Sequence, residues 1–271
     1  MPVLDVSFPD YRALPQLNWS TLRRLEGSSP LHFKHSLDAP EDNASHFIVG
    51  RAVHTGVLEP ELFDEEYITW PGGLTKAGQP TQNRLSAAFK SFARENTGKT
   101  ILTGDDQRTV HGCISSVSGH RVASRIVNGA KTEQSVTWED PLTGIECKCR
   151  VDIVSTTGRV ADLKTTSEIS PREFGQSVVK YGYSGQVAFY LDGAVAGGLD
   201  VDPGQPPALV AVESKPPYDC IVYRVDHDVL AHGRKLYKNL LAQYARIQKS
   251  KEWAGWAPDS ELDIVLPGWA L

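Results

Sequence analysis

Three side chains in one short stretch, Asp152, Asp162 and Lys164, have the types and the spacing for chemistry on a phosphate or another anionic centre. The stretch runs from Glu146 to Thr166, ECKCRVDIVSTTGRVADLKTT, and reads as two strands joined by a turn. Alternation along the first strand puts Cys147, Cys149, Val151 and Ile153 on one side and Glu146, Lys148, Arg150 and Asp152 on the other. Along the second, Ala161 and Leu163 oppose Val160, Asp162 and Lys164. Thr156-Thr157-Gly158 suits a three-residue hairpin loop whose last position is left-handed, a conformation Gly adopts freely. Ser155 then faces Arg159, and counting outward sets Asp152 opposite Asp162.

That register carries a chemical demand. Directly opposed residues have Cβ atoms about 4.5–5.5 Å apart, and like charges there are destabilising. At an effective dielectric near 20, two carboxylates about 4 Å apart repel by roughly 4 kcal/mol. Either one of them is protonated or a cation sits between them. A hard divalent ion such as Mg²⁺ or Mn²⁺ turns the repulsion into attraction. Lys164 adds a positive charge on the same face. A solvated strand face carrying only surface ion pairs is the alternative reading of the same residues.

Arg150-Val151-Asp152 followed by Asp162-Leu163-Lys164 resembles the PD-(D/E)XK signature in the form used by RecB-type nuclease domains and phage exonucleases. Gly50-Arg51-Ala52-Val53-His54 resembles the helix that supplies those domains with a metal-binding His, and Gln186-Val187-Ala188-Phe189-Tyr190 matches their Q-x-x-x-Y element. Three longer segments, GRAVHTGVLEPELFDEEY, VDIVSTTGRVADLKTT and SPREFGQSVVKYGYSGQVAFYLDG, are worded like the RecE-like exonucleases. The likeness spans residues 15–250. It departs from the written motif in two places: Val151 stands where Pro is common, and the second acid is Asp rather than Glu.

The resemblance implies an α/β fold of the PD-(D/E)XK type, a central mixed sheet flanked by helices. It implies a metal held by His54, Asp152, Asp162 and the backbone carbonyl of Leu163, with Lys164 as catalytic lysine beside Asp152 and Asp162. Gln186 and Tyr190 would line the cleft and support the ligands. Glu133 enters as a further candidate acid, an exposed strand Glu being its plain alternative. The implied cofactor is Mg²⁺, with Mn²⁺ as substitute and two ions once DNA is bound. The implied substrate is the 5′ end of linear double-stranded DNA, degraded to leave a 3′ single-stranded tail. A toroidal homo-oligomer (trimer or tetramer), a single-strand annealing protein as partner and a phage or prophage origin complete the expectation. A DNA endonuclease of the same fold, or a non-catalytic DNA-binding relative, are the rival classes.

Bulk properties bound the reading. A chain of 271 residues, 40% hydrophobic and 23% charged, has enough apolar content for a sizeable core. No run reaches transmembrane length, and MPVLDVSFPDYR lacks the basic and apolar blocks of a signal peptide, so the expected location is cytoplasmic, with no membrane partner. Cys113, Cys147, Cys149 and Cys220 include no C-x-x-C pair, which argues against an iron–sulfur cluster, a zinc ribbon or a disulfide framework. A net charge of −5 argues against a protein that grips nucleic acid by bulk electrostatics. An encircling ring needs less of that attraction, and basic residues gather locally at Arg23-Arg24, Arg121 and Arg125, and Arg234, Lys235 and Lys238.

The elements that must position these groups follow from periodicity. Residues 1–17 contain Pro and read as irregular; residues 18–250 read as one nuclease domain; residues 251–271 form a Trp-rich tail (Trp253, Trp256, Trp269) expected to dock on the body or a neighbouring subunit. Helices are predicted over 18–27, 29–36, 45–58 (with Phe47, Val53 and Val57 inward), 81–97, 105–118, 121–128, 170–192 and 228–249. Ser170-Pro171-Arg172-Glu173 carries a capping-box pattern, and Tyr181-Gly182-Tyr183 bends or breaks the helix that follows. Strands are predicted at 132–138, in the hairpin, at 208–212 and at 220–225.

Overall fold

The computed structural model describes residues 3–38, 45–75 and 77–268, with the backbone alone for 45–47. Trp269 and the side chain of Phe47 therefore lie outside the described residues. An edge strand, β1 (Val3–Leu4), and a short helix, α1 (Phe8–Ala13), lead into α2 (Trp19–Arg23), α3 (Pro30–Leu37), α4 (Ser45–Leu58) and α5 (Pro60–Glu66). An outlying layer follows: β2 (Tyr67–Thr69), β3 (Gly73–Leu74), β4 (Pro80–Thr81), α6 (Ala87–Glu95) and β5 (Thr100–Leu102). Two helices, α7 (Gly104–Gly119) and α8 (Arg121–Val127), then precede β6 (Lys131–Glu139), β7 (Glu146–Val154) and β8 (Val160–Thr166). The chain closes with α9 (Pro171–Lys180), α10 (Tyr183–Ala196), β9 (Ala208–Glu213), β10 (Cys220–Arg224) and α11 (His227–Ser250).

The central sheet has six strands in the order β1-β6-β7-β8-β9-β10. Its ladders are antiparallel except for β8 and β9, which run parallel. A parallel pair needs a crossover, and α9 and α10 provide it. One apolar cluster joins Val136, Trp138, Cys147 and Cys149 to Phe189 of α10 and to Tyr237, Leu240 and Leu241 of α11. A second joins Val53 of α4 and Val110 and Val117 of α7 to Leu163 and Val210. The expected α/β class, a mixed sheet with helices on both faces, is what forms. All four cysteines are free and buried. No helix of the described residues is long and apolar enough to cross a membrane.

Helix α10 is apolar almost all round (Val187, Ala188, Phe189, Leu191 and Ala194 are all buried), which is the pattern of a helix enclosed by other elements. Gly233 allows α11 to lie against it: a Cβ at 233 would sit 2.0 Å from the Ser184 carbonyl oxygen. Phe189 is fully buried between Trp138 and Tyr237, with ring centroids at 4.8 and 5.6 Å. Phe189→Ala is therefore expected to cost about 3–5 kcal/mol, read as a lowered urea midpoint with unchanged slope.

Three expectations need correcting. Residues 3–17 are not irregular throughout, since β1 and α1 form within them. Val3 and Leu4 pair with Val136 and Ser135, and Ser7 caps α1 by accepting from the Asp10 N–H. The buried ammonium of Lys148 then ties down the end of α1, donating to the carbonyls of Tyr11 (2.8 Å), Arg12 (3.2 Å) and Leu14 (2.6 Å). The second correction concerns α9, which starts at Pro171 as predicted but without the capping box. Ser170 makes no side-chain cap, and its own N–H donates to Glu168 Oε1 instead. Third, α6 begins only at Ala87, because residues 80–81 pair as β4, and Leu85 stands 78% exposed outside the helix. The tail docks through Trp253, which stacks on Phe33 at 6.5 Å, whereas Trp256 remains 63% exposed.

Candidate active site

The β7–β8 hairpin closes as the turn residues require. Ser155 N–H donates to the Arg159 carbonyl at 2.9 Å, Gly158 is left-handed (φ +75°), and Val154 and Ile153 pair with Val160 and Ala161. The pairing stops there. Asp152 and Asp162 are the next positions outward, where the strands part, and the Leu163 N–H donates not to a strand carbonyl but to Asp152 Oδ2 at 3.0 Å. The Asp152 carboxylate stands in for a rung of the ladder.

The other edge of β7 is irregular at the same level. Thr132 pairs with Ile153 and Gln134 with Val151, and between them Glu133 adopts a left-handed backbone (φ +53°). For a residue with a Cβ this costs on the order of 1–3 kcal/mol and persists only where the surroundings enforce it. The predicted alternation fails here. Val151 packs with Cys147 and Cys149 beneath α10, whereas Ile153 joins Ala161 and Leu163 in the opposite cluster. These residues thus do not share one side of the sheet, and Asp152 occupies the break.

Six of the predicted side chains, His54, Glu133, Asp152, Asp162, Lys164 and Gln186, converge at this point. His54, on α4, places Nε2 2.9 Å from Asp152 Oδ2 and Nδ1 3.2 Å from Glu133 Oε1. Lys164 Nζ lies 2.6 Å from Asp162 Oδ2 and 4.8 Å over the ring of Tyr183. Gln186 joins from α10, its Nε2 donating to Asp162 Oδ1 at 2.9 Å. Tyr190, one turn further along α10, packs at the edge of the apolar cluster beside Phe189. The side chain of Leu163 is buried on the α4 side of the sheet. Glu133, the weakest sequence candidate, is part of the cluster.

Arg150 was missed by sequence reasoning. It is 9% exposed, pairs through Nε with Glu133 Oε2, and donates through one terminal nitrogen to Ser135 Oγ and the Val6 carbonyl, both at 3.0 Å. Its other terminal nitrogen lies 3.5 Å from Glu59 Oε1. The available signal was its place on the predicted polar face, two residues before Asp152. Nothing in the sequence pointed to Glu59.

The electrostatics are those of an anionic cluster out of water. Burial and then the charge of Asp152 push the Asp162 carboxyl up to about 7, against the pull of Lys164. Burial opposes the charged form of Asp152 too, but His54, Lys164 and the Leu163 N–H outweigh it and hold this carboxyl below its usual range. Burial disfavours the His54 cation, yet Asp152 and Glu133 raise it to about 10. Lys164 is likewise raised, the two aspartates overcoming its desolvation, so without metal it is an ammonium. Burial followed by the nearby charges also raises the Tyr190 phenol.

The donor set fits a hard divalent cation. His54, Glu133 and Asp152 each offer a ligand atom within 4.8 Å of the others. Asp162 Oδ2 is buried and faces the Lys164 ammonium at 2.6 Å. Carboxylates with one imidazole suit Mg²⁺ or Mn²⁺. His54 retains 32% of its side-chain exposure and is the solvent-facing member of the cluster, while Asp152 and Asp162 are buried.

Comparison with known proteins bears on the family and the fold. The family described as "PDDEXK-like domain of unknown function (DUF3799)" matches residues 19–262. Curated proteins give no match. Among solved structures, a protein described as "Putative exonuclease" from Eubacterium rectale superimposes with a TM-score of 0.64 at 13% identity, over 98% of this chain and 97% of that one. A phage related exonuclease from Haemophilus somnus 129PT gives a TM-score of 0.33 at 12% identity, over 66% of this chain and 92% of that one.

Proposed function

This chain belongs to the PDDEXK-like family DUF3799, and from that premise we propose that it is a divalent-metal-dependent deoxyribonuclease. The observation that carries the reading is the meeting of Asp152, Asp162 and Lys164 with His54 where β7 and β8 part. Asp152, Asp162 and His54 would hold the metal, with the Leu163 carbonyl beside them. A bound divalent cation supplies Lewis-acid polarisation of a phosphate oxygen.

The protein's own residues do the rest. Lys164, kept as an ammonium between Asp162 and the Tyr183 ring, offsets charge gathering on the phosphoryl oxygens and orients the attacking water. Gln186 fixes the rotamer of Asp162, and Glu133 holds the far nitrogen of His54.

The finer reading is a Mg²⁺-dependent 5′-to-3′ exonuclease on double-stranded DNA, serving recombination by leaving 3′ single-stranded tails. It rests on the RecE-like wording of the sequence; the description of the Eubacterium rectale protein supports its exonuclease part alone. A toroidal homo-oligomer and a single-strand annealing partner belong to the same reading. The test is incubation with end-labelled linear and covalently closed circular duplex DNA, with Mg²⁺ and with chelator. Linear DNA is expected to lose 5′ label as mononucleotide while circles survive. Cutting of circles points to an endonuclease, and inertness on both substrates with Mg²⁺ or Mn²⁺ overturns the catalytic assignment.

A further inference from the structure

We infer that Arg150 and Glu133 are positioning residues for His54, an Arg–Glu–His relay that aims the imidazole at the metal position shared with Asp152. The inference deepens the metal-dependent reading above and rests on it. Glu133 uses its two carboxylate oxygens for different tasks. Oε2 is paired to Arg150 Nε, and Oε1 faces His54 Nδ1 at 3.2 Å. That leaves His54 Nε2 toward Asp152, the nitrogen a cation would take. A carboxylate on the far nitrogen of a ligating His fixes its tautomer and ring orientation, and loss of such a partner costs about 10–100-fold in metal affinity.

Arg150 is suited to hold the carboxylate still. Its planar fork is anchored at the Ser135 hydroxyl and the Val6 carbonyl, so neither Glu133 nor the guanidinium moves independently of the sheet and the N-terminal segment. Glu133 reaches His54 from a left-handed backbone position within β6. An ordinary surface Glu would have no reason to hold that conformation. Geometry and an unusual backbone, two independent observations, point to the same pair.

The test is direct Mn²⁺ binding, followed by electron paramagnetic resonance of the free ion, with no DNA present. Glu133→Gln, Arg150→Lys, Arg150→Ala and the double variant Arg150→Ala/Glu133→Gln are compared with wild type. Each single variant is expected to weaken binding about 10–100-fold, with Arg150→Lys the mildest. The double variant is expected to be no worse than the weaker single, because both act through His54. Melting in chelator separates this from loss of fold, and Glu133→Gln, nearly isosteric, keeps the test decisive if Arg150→Ala does not fold. Unchanged Mn²⁺ affinity in a folded Glu133→Gln, or additive losses in the double variant, overturn the relay. Absence of Mn²⁺ binding by wild type would instead overturn the metal-dependent reading itself.

Discussion

With Mg²⁺ at saturation, Lys164→Ala and Asp162→Asn are each expected to slow degradation of linear duplex DNA by about 10²–10⁴-fold while the protein stays folded. Lys164 holds its ammonium 2.6 Å from the Asp162 carboxylate, a proposed metal ligand, and on that proposal Ala leaves charge at the phosphate uncompensated. Asp162→Asn keeps the shape and the Gln186 contact but removes the ligand charge. The stability of the two variants should diverge. The Asp162 carboxyl is raised from 3.8 to about 7, so the folded state holds a proton there that the unfolded chain has released. Metal-free wild type therefore loses this contribution as pH rises from about 4 through 7, and Asp162→Asn does not. In chelator at pH 9 the Asn variant should melt no lower than wild type. Activity within threefold of wild type in either variant would remove the proposed chemistry.

Cation binding should tighten by about tenfold per pH unit between pH 7 and 9, because His54 must shed a proton to become a ligand and holds it until about 10 in the metal-free site. Below 7 the Asp162 proton adds to the same slope. The corresponding stability sign is fixed. With a folded pKa raised above 6.5, His54 stabilises the metal-free protein at low pH, and that stabilisation is lost as pH rises through about 10. The lowered Asp152 works in the opposite direction, its contribution disappearing only in acid. Chelated protein should thus melt lower at pH 9 than at pH 6, while the gain on adding Mg²⁺ widens. Isothermal titration with Mg²⁺ across this range measures the slope directly. A flat profile in wild type, or the same slope in His54→Gln, would remove His54 from the ligand set.

Much of this site was readable from local rules. The three-residue turn set the pairing of Val154 with Val160 and of Ile153 with Ala161, which leaves Asp152 and Asp162 as the next positions outward, and Gly182 marked the break between α9 and α10. His54 and Gln186 came from helical segments whose wording matched a known family. What escaped was tertiary. The break in alternation at Asp152 is shared with Glu133, a residue of a different strand in a backbone conformation its type does not advertise. Arg150 has partners at Val6, Glu59, Glu133 and Ser135, and no periodicity links those positions. The two-residue strand β1 is too short to have a period at all. At α9 a capping-box pattern was present, yet Glu168 took the N–H first.

The turn at Ser155–Arg159 has a consequence for how such a protein can diverge. Surface loops ordinarily absorb insertions and deletions at little cost, but a one-residue slip along this hairpin would send every second-strand side chain to the other face. Asp162 and Lys164 would trade places with Leu163, and apolar surface would stand where Asp162 now meets Lys164 and Gln186. Its last position is held to Gly, by the left-handed turn and because a Cβ there would sit 2.8 Å from the Asp202 backbone nitrogen; its length is held by the register. Lineages that still cut DNA should count three residues there.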